Sequence, residues 1–582
     1  MNPNWDLSYL YKGFDDPAFL ADLKRFPEEI KVEQAILDGG DDPQTKLEKL
    51  TDQQEVLGAL SDRLSSFCNL TQAVDANNAD ATKYLNVLDV IFNDSRIVSS
   101  AVTRYIGSLP NLEDLIAASP KLQKVAFHLR ESAENAHHTI PEAVEPWILE
   151  MSLSGGSAFS QLRDKLDSTH TANYRGQEIP LSAVRGLAYD ADASVRKDAY
   201  EAEIASYKKM ELPMSYCLNA VKMEARTLSK AKGYPSVLDM TLSDSRMDRA
   251  TLDAMLTAIR EYLPHFRRYM KAKAKLLGHQ NGLPFYDLFA PVGQNVHTYT
   301  VEEAREMLVR LMGQFTPEMG KFIDNAFEQR WIDIYPREGK TGGAFCSPVH
   351  FADRSLVMTN FTGSFSDVST IAHELGHAWH NRCLAGLPYS MIDTPMPLAE
   401  TASIFNEQLL AHMVLKDASP DEQLSLLEGN LMETNQTIVD IYSRYLFETE
   451  VIDTRADHAM SVDELKDAML RAQEASYGDG LDPEIRHPYM WACKSHYYSS
   501  GYNFYNFPYA FGELFAKGVF AQYLQKGAAF VPDYCRLLRS CGSGTIADVA
   551  ASVGIDVRNP DFWRSSLEVV KGNIDKFCDL VK

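Results

Sequence analysis

The chain has 582 residues, with 80 acidic against 57 basic side chains and a formal net charge of −23. That excess of negative charge repels phosphate backbones and anionic lipid, which makes nucleic acid and membrane surfaces poor partners. With 45% hydrophobic and 24% charged residues it has the composition of an ordinary soluble globular protein, long enough to build at least two lobes.

The opening, MNPNWDLSYLYKGFDDPAFL, lacks a basic start followed by an apolar core, so no secretory signal is expected. Even the apolar stretch 504–523 is interrupted by Glu513 and Lys517, so no membrane span is expected either. The eight cysteines are scattered without a C-x-x-C pair, which fits reduced thiols and a cytoplasmic protein.

From Pro17 to about Leu149 the apolar spacing predicts helices, with loops at Gly39-Gly40, Asp41-Asp42-Pro43 and Pro110-Asn111. No period of 20–50 residues recurs, so a solenoid is not supported. SLSGGSAFSQLRDKL (152–166) is a Gly/Ser punctuation point, and NYRGQEIPL (173–181) reads as a hairpin at a joint between lobes. The expected division is an N-terminal helical lobe over 1–190 and a catalytic domain over 191–582. Helices return over 186–232 and about 248–276, where Pro264 predicts a kink or break. A loop follows at 283–293.

The β-rich region comes next. Gly339 to Cys346 is a Gly-rich approach, and Ser355 to Phe361 (SLVMTNF) predicts a strand. An edge strand of this kind beside a metal can hold an extended peptide through its backbone.

Ser366 to Gly386 then carries His373-Glu374-Leu375-Gly376-His377, the H-E-x-x-H pattern. Val368, Ile371, Ala372, Leu375, Ala378 and Trp379 form a buried stripe at helical spacing. Ser364 with Asp367 resembles a capping box, Ser366 is an alternative N-cap, and Gly386 with Pro388 supplies the stop. In a helix the two imidazoles lie one turn apart on one face, so they can meet one ion, with Glu374 facing the same cleft. Gly376, mid-helix, costs about 1 kcal/mol against Ala and needs a packing or access reason.

A second helix is predicted from Pro397, with Glu400 in its first turn, 23 positions after His377. Glu400 completes a His-His-Glu zinc site that leaves one position open for water. Glu407, seven residues on, can orient an imidazole, and Asp367 and Asp393 are weaker candidates. For these three and for His380 an ordinary structural role is the expectation. After 397 the pattern is helical to the end.

Several pieces together resemble the thimet oligopeptidase/neurolysin group of zinc peptidases, in its oligoendopeptidase F branch. They are WDLSYLY, SGGSAFSQL, KTGGAFCSP, FTGSFSDVSTIAHELGHAWH, PLAETASIFNE, and Trp491…His496 with the Tyr-rich stretch after it. The resemblance implies a mainly α, two-lobed helical fold around a deep central channel, with a small β-sheet next to the zinc helix. It implies one Zn2+ at His373, His377 and Glu400, and Glu374 as the catalytic carboxylate. In such enzymes a His and Tyr stabilise the oxyanion. His496, Tyr502 and Tyr509 take those roles by resemblance, while Tyr497, Tyr498 and Tyr505 stay open because the SSGYN stretch blurs the spacing.

The expected activity is a zinc-dependent endopeptidase that hydrolyses internal bonds of short oligopeptides by zinc-activated water, with Glu374 as general base. The alternatives are a carboxypeptidase or dipeptidyl-carboxypeptidase of the same fold, and a non-catalytic peptide-binding protein. Oligopeptides are the expected partners. Cleavage preference and oligomeric state are not encoded in any single stretch, and a monomer is compatible with all of this.

Overall fold

The structure is a computed structural model that describes residues 3–141, 143–293 and 297–582. Helices dominate it. Among the described residues, strands are confined to a hairpin, β1 (Thr171–Tyr174) with β2 (Gln177–Pro180), and a sheet of β3 (Ile332–Asp333), β4 (Phe345–Val349) and β5 (Arg354–Met358). By contact the chain falls into two compact units, each drawn from three stretches. Met1–Thr139, Val296–Met413 and Gln522–Gly554 form the first, and Ile140–Asn295, Val414–Ala521 and Ile555–Lys582 the second. This grouping follows neighbours in space and is of a different kind from the linear division at 190/191.

The first unit opens on helices Pro17–Asp38, Pro43–Val74 and Ala79–Gly107. The first two start alike. Asp16 or Asp42 accepts a hydrogen bond from a first-turn N–H, and a proline follows at the position where its missing N–H costs nothing. Their apolar stripes meet in a core that includes Phe19, Phe26, Leu64, Phe67 and Cys68, and Val349, Leu356 and Met358 of the sheet join it. In that sheet the order is β3-β5-β4, with β5 parallel to β3 and antiparallel to β4, Phe345 opposite Met358. The strand expected over 355–361 is therefore the middle one, ending at Met358. Both its edges are occupied, and β3 and β4 are the outer strands.

The helix Phe365–Leu384 carries the H-E-x-x-H pattern. Ser364 and Asp367 form the capping box read from the sequence, and Val368, Ile371, Ala372, Leu375 and Ala378 are buried. Trp379 meets the Phe322 ring edge-on at 5.4 Å. The helix ends at Leu384, and Gly386 follows in the left-handed region with φ of 74°.

In the second unit, the β1–β2 turn places Arg175 and Gly176 at φ of 52° and 82°, the two positive values that a tight two-residue hairpin turn requires. Helix Ala193–Ala231 runs through Pro213, and Arg249–Leu276 runs through Pro264, so of the kink or break expected there no break occurs. An interior proline costs about 3 kcal/mol. Leu252, Met255, Ile259, Leu263, Phe266 and Met270 are buried on both sides of it, and each contributes about 1.5–3 kcal/mol, so burial of the common face outweighs that cost. Among the described residues, no helix is long and apolar enough to cross a membrane.

Candidate functional site

His373 and His377 project from the side of the helix opposite its buried stripe, with ring centroids 4.9 Å apart. Both rings are partly exposed. Two carboxylates from the following segment reach them. Glu400 Oε2 stands 3.2 Å from His373 Nε2 and 3.3 Å from His377 Nε2, and Glu407 Oε1 stands 2.5 Å from His373 Nδ1.

The sequence predicts Glu400 in the first turn of one helix. It sits instead at a break, as the residue between the single turn Met396–Ala399 and the helix Thr401–Asp417. Outside the regular turns at that point, its side chain accepts from the Ser403 hydroxyl at 2.7 Å while facing both imidazoles. Glu407, one of the residues expected to be merely structural, lies on the longer helix and pins the His373 ring. In metal sites generally, a hydrogen bond of this kind fixes which nitrogen of an imidazole faces the ion.

Gly376 explains why the two segments can come so close. A Cβ built on it would stand 2.5 Å from the Ala402 carbonyl oxygen and 2.6 Å from Ser403 Cα, both backbone atoms. The helix therefore touches the start of its neighbour backbone to backbone, and Asn406 Nδ2 fastens the pair by donating to the Ala372 carbonyl at 3.1 Å. The glycine's reason is close approach.

Burial opposes charge on His373, but the hydrogen bonds of Glu400 and Glu407 outweigh it and hold the ring's pKa up to about 10. Burial likewise opposes charge on Glu400, and the two imidazoles overcome it, holding this carboxyl well below the usual range. Glu374 is 6% exposed, and burial raises its pKa.

The donor atoms of His373, His377 and Glu400 lie within 4.8 Å of one another. Two imidazole nitrogens and one carboxylate oxygen, converging with one ring already oriented from behind, suit zinc in its three-ligand catalytic arrangement. The residues fit the metal.

Two other candidates have structural roles. His380 is buried, its Nε2–H donates to the Leu538 carbonyl at 3.1 Å, and burial pushes its pKa down to about 4. Asp367 spends its carboxylate on the backbone N–H groups of Thr362, Gly363 and Ser364.

Beside the helix, Asn381 Nδ2 donates to Ser355 Oγ of β5 at 3.1 Å. Among the described residues only one edge of β4 is paired, and Pro348, which has no N–H to give, is tolerated in such an outer strand. The glycines before β4 are held by Asn360, whose Nδ2 donates to the carbonyls of Thr341 and Gly343, and nothing crowds the open side of Gly342 or Gly343.

The second unit holds the aromatic segment. His496 lies 5.4 Å from the Tyr505 ring and 6.1 Å from that of Tyr509, and Tyr505 lies 5.4 Å from Tyr509. Tyr502 packs on Tyr505 at 6.1 Å and is 72% exposed. Burial lowers the His496 pKa. Tyr497 and Tyr498 turn the other way into the core, against Phe447 and under the Arg163 guanidinium. The aromatic run is thus part core and part polar cluster, with Tyr505 between the other rings.

A family model described as peptidase family M3 matches residues 186–569, and one described as oligopeptidase F matches 110–171. An oligoendopeptidase F homolog of Lactococcus lactis is 24% identical over 601 aligned residues, covering 99% of this chain and 97% of that protein. A crystal structure of a Chlamydophila abortus peptidase superimposes with a TM-score of 0.86 at 23% identity, covering 100% of this chain and 99% of the other. The oligoendopeptidase-F structure from Enterococcus faecium gives a TM-score of 0.67 at 18% identity, covering 97% and 98%. At these identities the structural likenesses establish the fold.

Proposed function

The chain belongs to peptidase family M3 and is a metallo-oligopeptidase, and from that premise we propose that it is a zinc-dependent endopeptidase cutting internal bonds of short oligopeptides. The observation that carries the proposal is the convergence of His373, His377 and Glu400, with Glu374 one residue from the first ligand.

Zinc held by those three side chains supplies Lewis acidity, which polarises a carbonyl and brings the pKa of water down toward about 7. Glu374 takes the proton as water attacks the scissile carbonyl, then delivers it to the leaving amine, a role worth typically 10²–10⁴-fold in rate. Glu407 keeps the His373 ring in its ligating orientation. His496 with Tyr505 and Tyr509 donates to the developing oxyanion, and each such donor contributes a few kcal/mol. Tyr502 stands at the outer side of that cluster. The free edge of β4 takes the substrate backbone as an added strand, with the Gly342-Gly343 segment leaving room for it. All eight cysteines are unpaired, which supports a reducing compartment such as the cytoplasm.

An internally quenched peptide blocked at both ends tests this reading. Cleavage that a chelator abolishes and zinc restores is the expected result. Cleavage only of peptides with a free C-terminus would favour the carboxypeptidase alternative.

A further inference from the structure

Within the second unit, one buried carboxylate organises the loop that carries the tyrosines. Glu448, on helix Ile441–Thr454, is 1% exposed, and Lys222, on helix Ala193–Ala231, has no exposure at all. Lys222 Nζ donates to Glu448 Oε1 at 2.7 Å and to Asn503 Oδ1 at 2.9 Å. The same Oε1 accepts the Phe504 backbone N–H at 3.0 Å, and Glu448 Oε2 accepts from Asn506 Nδ2 at 2.7 Å. The Asn506 side-chain amide oxygen, Oδ1, in turn accepts the Phe507 N–H at 2.6 Å. Residues 503, 504 and 506 are all tied to one ion pair, and Tyr505 lies between them.

Phe504 has φ of +52°, the left-handed region that a bulky residue enters only when its surroundings impose it. The N–H that Glu448 accepts belongs to this residue. A buried ion pair is commonly no more stabilising than packed apolar side chains of similar volume. Stability alone therefore does not account for a lysine and a glutamate in the core, whereas holding a strained loop in one conformation does.

We propose that Glu448, with Lys222 and Asn506, is a positioning group that presents Tyr505, and with it the His496–Tyr509 cluster, in a single orientation for catalysis. The proposal rests on the reading of that cluster as the oxyanion donors.

The test pairs Glu448→Gln with the double variant Glu448→Gln/Asn506→Asp. In the single variant a glutamine amide meets the Asn506 amide donor to donor, and Asn506 cannot flip without giving up the Phe507 N–H. In the double variant the acceptor and the negative charge return from the other side. Hydrogen exchange of segment 499–509 and steady-state kinetics on the quenched peptide are both read. The single variant is expected to exchange faster in that segment and to lose kcat at least roughly tenfold, with KM within about twofold, as befits an interaction made in the transition state. The double variant is expected to recover both. Asn506→Ala, which leaves the ion pair whole, provides the same two readouts if Glu448→Gln does not fold. Unchanged exchange, faster exchange with wild-type kcat, or a double variant that regains neither would overturn the proposal. Lack of hydrolysis by the wild-type chain would strike only the reading of function, because exchange is measured without substrate.

Discussion

The candidate metal site and the tyrosine loop are held by opposite means. Around the ion site, two helices meet at a residue with no side chain, and ligand spacing follows from helical geometry once Gly376 lets the backbones touch. Around Tyr505 there is no regular structure. A buried charge pair ties successive backbone and amide groups of an irregular segment, one of them with φ of +52°. A motif on a helix carries its own ruler, whereas a motif on a loop borrows its geometry from elements far away in sequence.

Five substitutions test that contrast. The largest effect belongs to Glu374→Gln, which should leave zinc content unchanged and lower kcat by about 10²–10⁴-fold, the range for a positioned general base. Metal analysis alongside the peptide assay checks it, and near-normal turnover would sink the role given to Glu374. Tyr505→Phe comes next. Removing one oxyanion donor costs on the order of 10²-fold in kcat, so a loss near that size with unaltered zinc content and KM supports the cluster. Tyr497→Phe, in the core, should show no such loss, and equal losses would deny any special place to Tyr505.

Glu407→Gln should lower zinc affinity or activity by about 10–100-fold, as expected for a group that orients a ligand from behind. Competition with a fluorescent chelator measures it, and wild-type affinity would return Glu407 to a purely structural role. Gly376→Ala has the smallest expected effect and the most instructive sign. Helix propensity alone predicts a gain of about 1 kcal/mol. The added methyl meets backbone atoms that cannot rotate away, and overpacking of that kind costs about 1–3 kcal/mol, so a net loss is expected. A lowered Tm with weakened zinc binding fits this; a raised Tm would show that the helices are not in contact there.

The legible part of the site was the part written in helical periods. His373, His377 and Glu374 follow from five adjacent residues, and the capping box at Ser364 and Asp367 marked where their helix begins. Glu407 was visible as a same-face neighbour of Glu400, yet an acidic residue on a helix has many ordinary reasons to be there, and only its 2.5 Å approach to His373 Nδ1 distinguishes it. Lys222 left a fainter trace, a charged residue among the buried Leu218, Val221 and Ala225 of one long helix. Its partner lies 226 positions away, and nothing local pairs the two. A strand is expected over 355–361 and β5 spans Arg354–Met358, but its central place in the sheet is not legible, because strand order depends on which edges find partners.

The sequence on its own fixes the helical character of the chain, the hairpin near 175, the helix that carries the H-E-x-x-H pattern and the residue types of the candidate ligand set, because periodicity, capping and i, i+4 spacing act over one or two turns. Tertiary packing decides that Glu400 sits at a helix break facing both imidazoles, that β5 lies between β3 and β4, and that Tyr505 rather than Tyr497 or Tyr498 joins His496. Those outcomes depend on contacts between segments distant in the chain, and such contacts are set by how whole faces pack and which buried charges find partners.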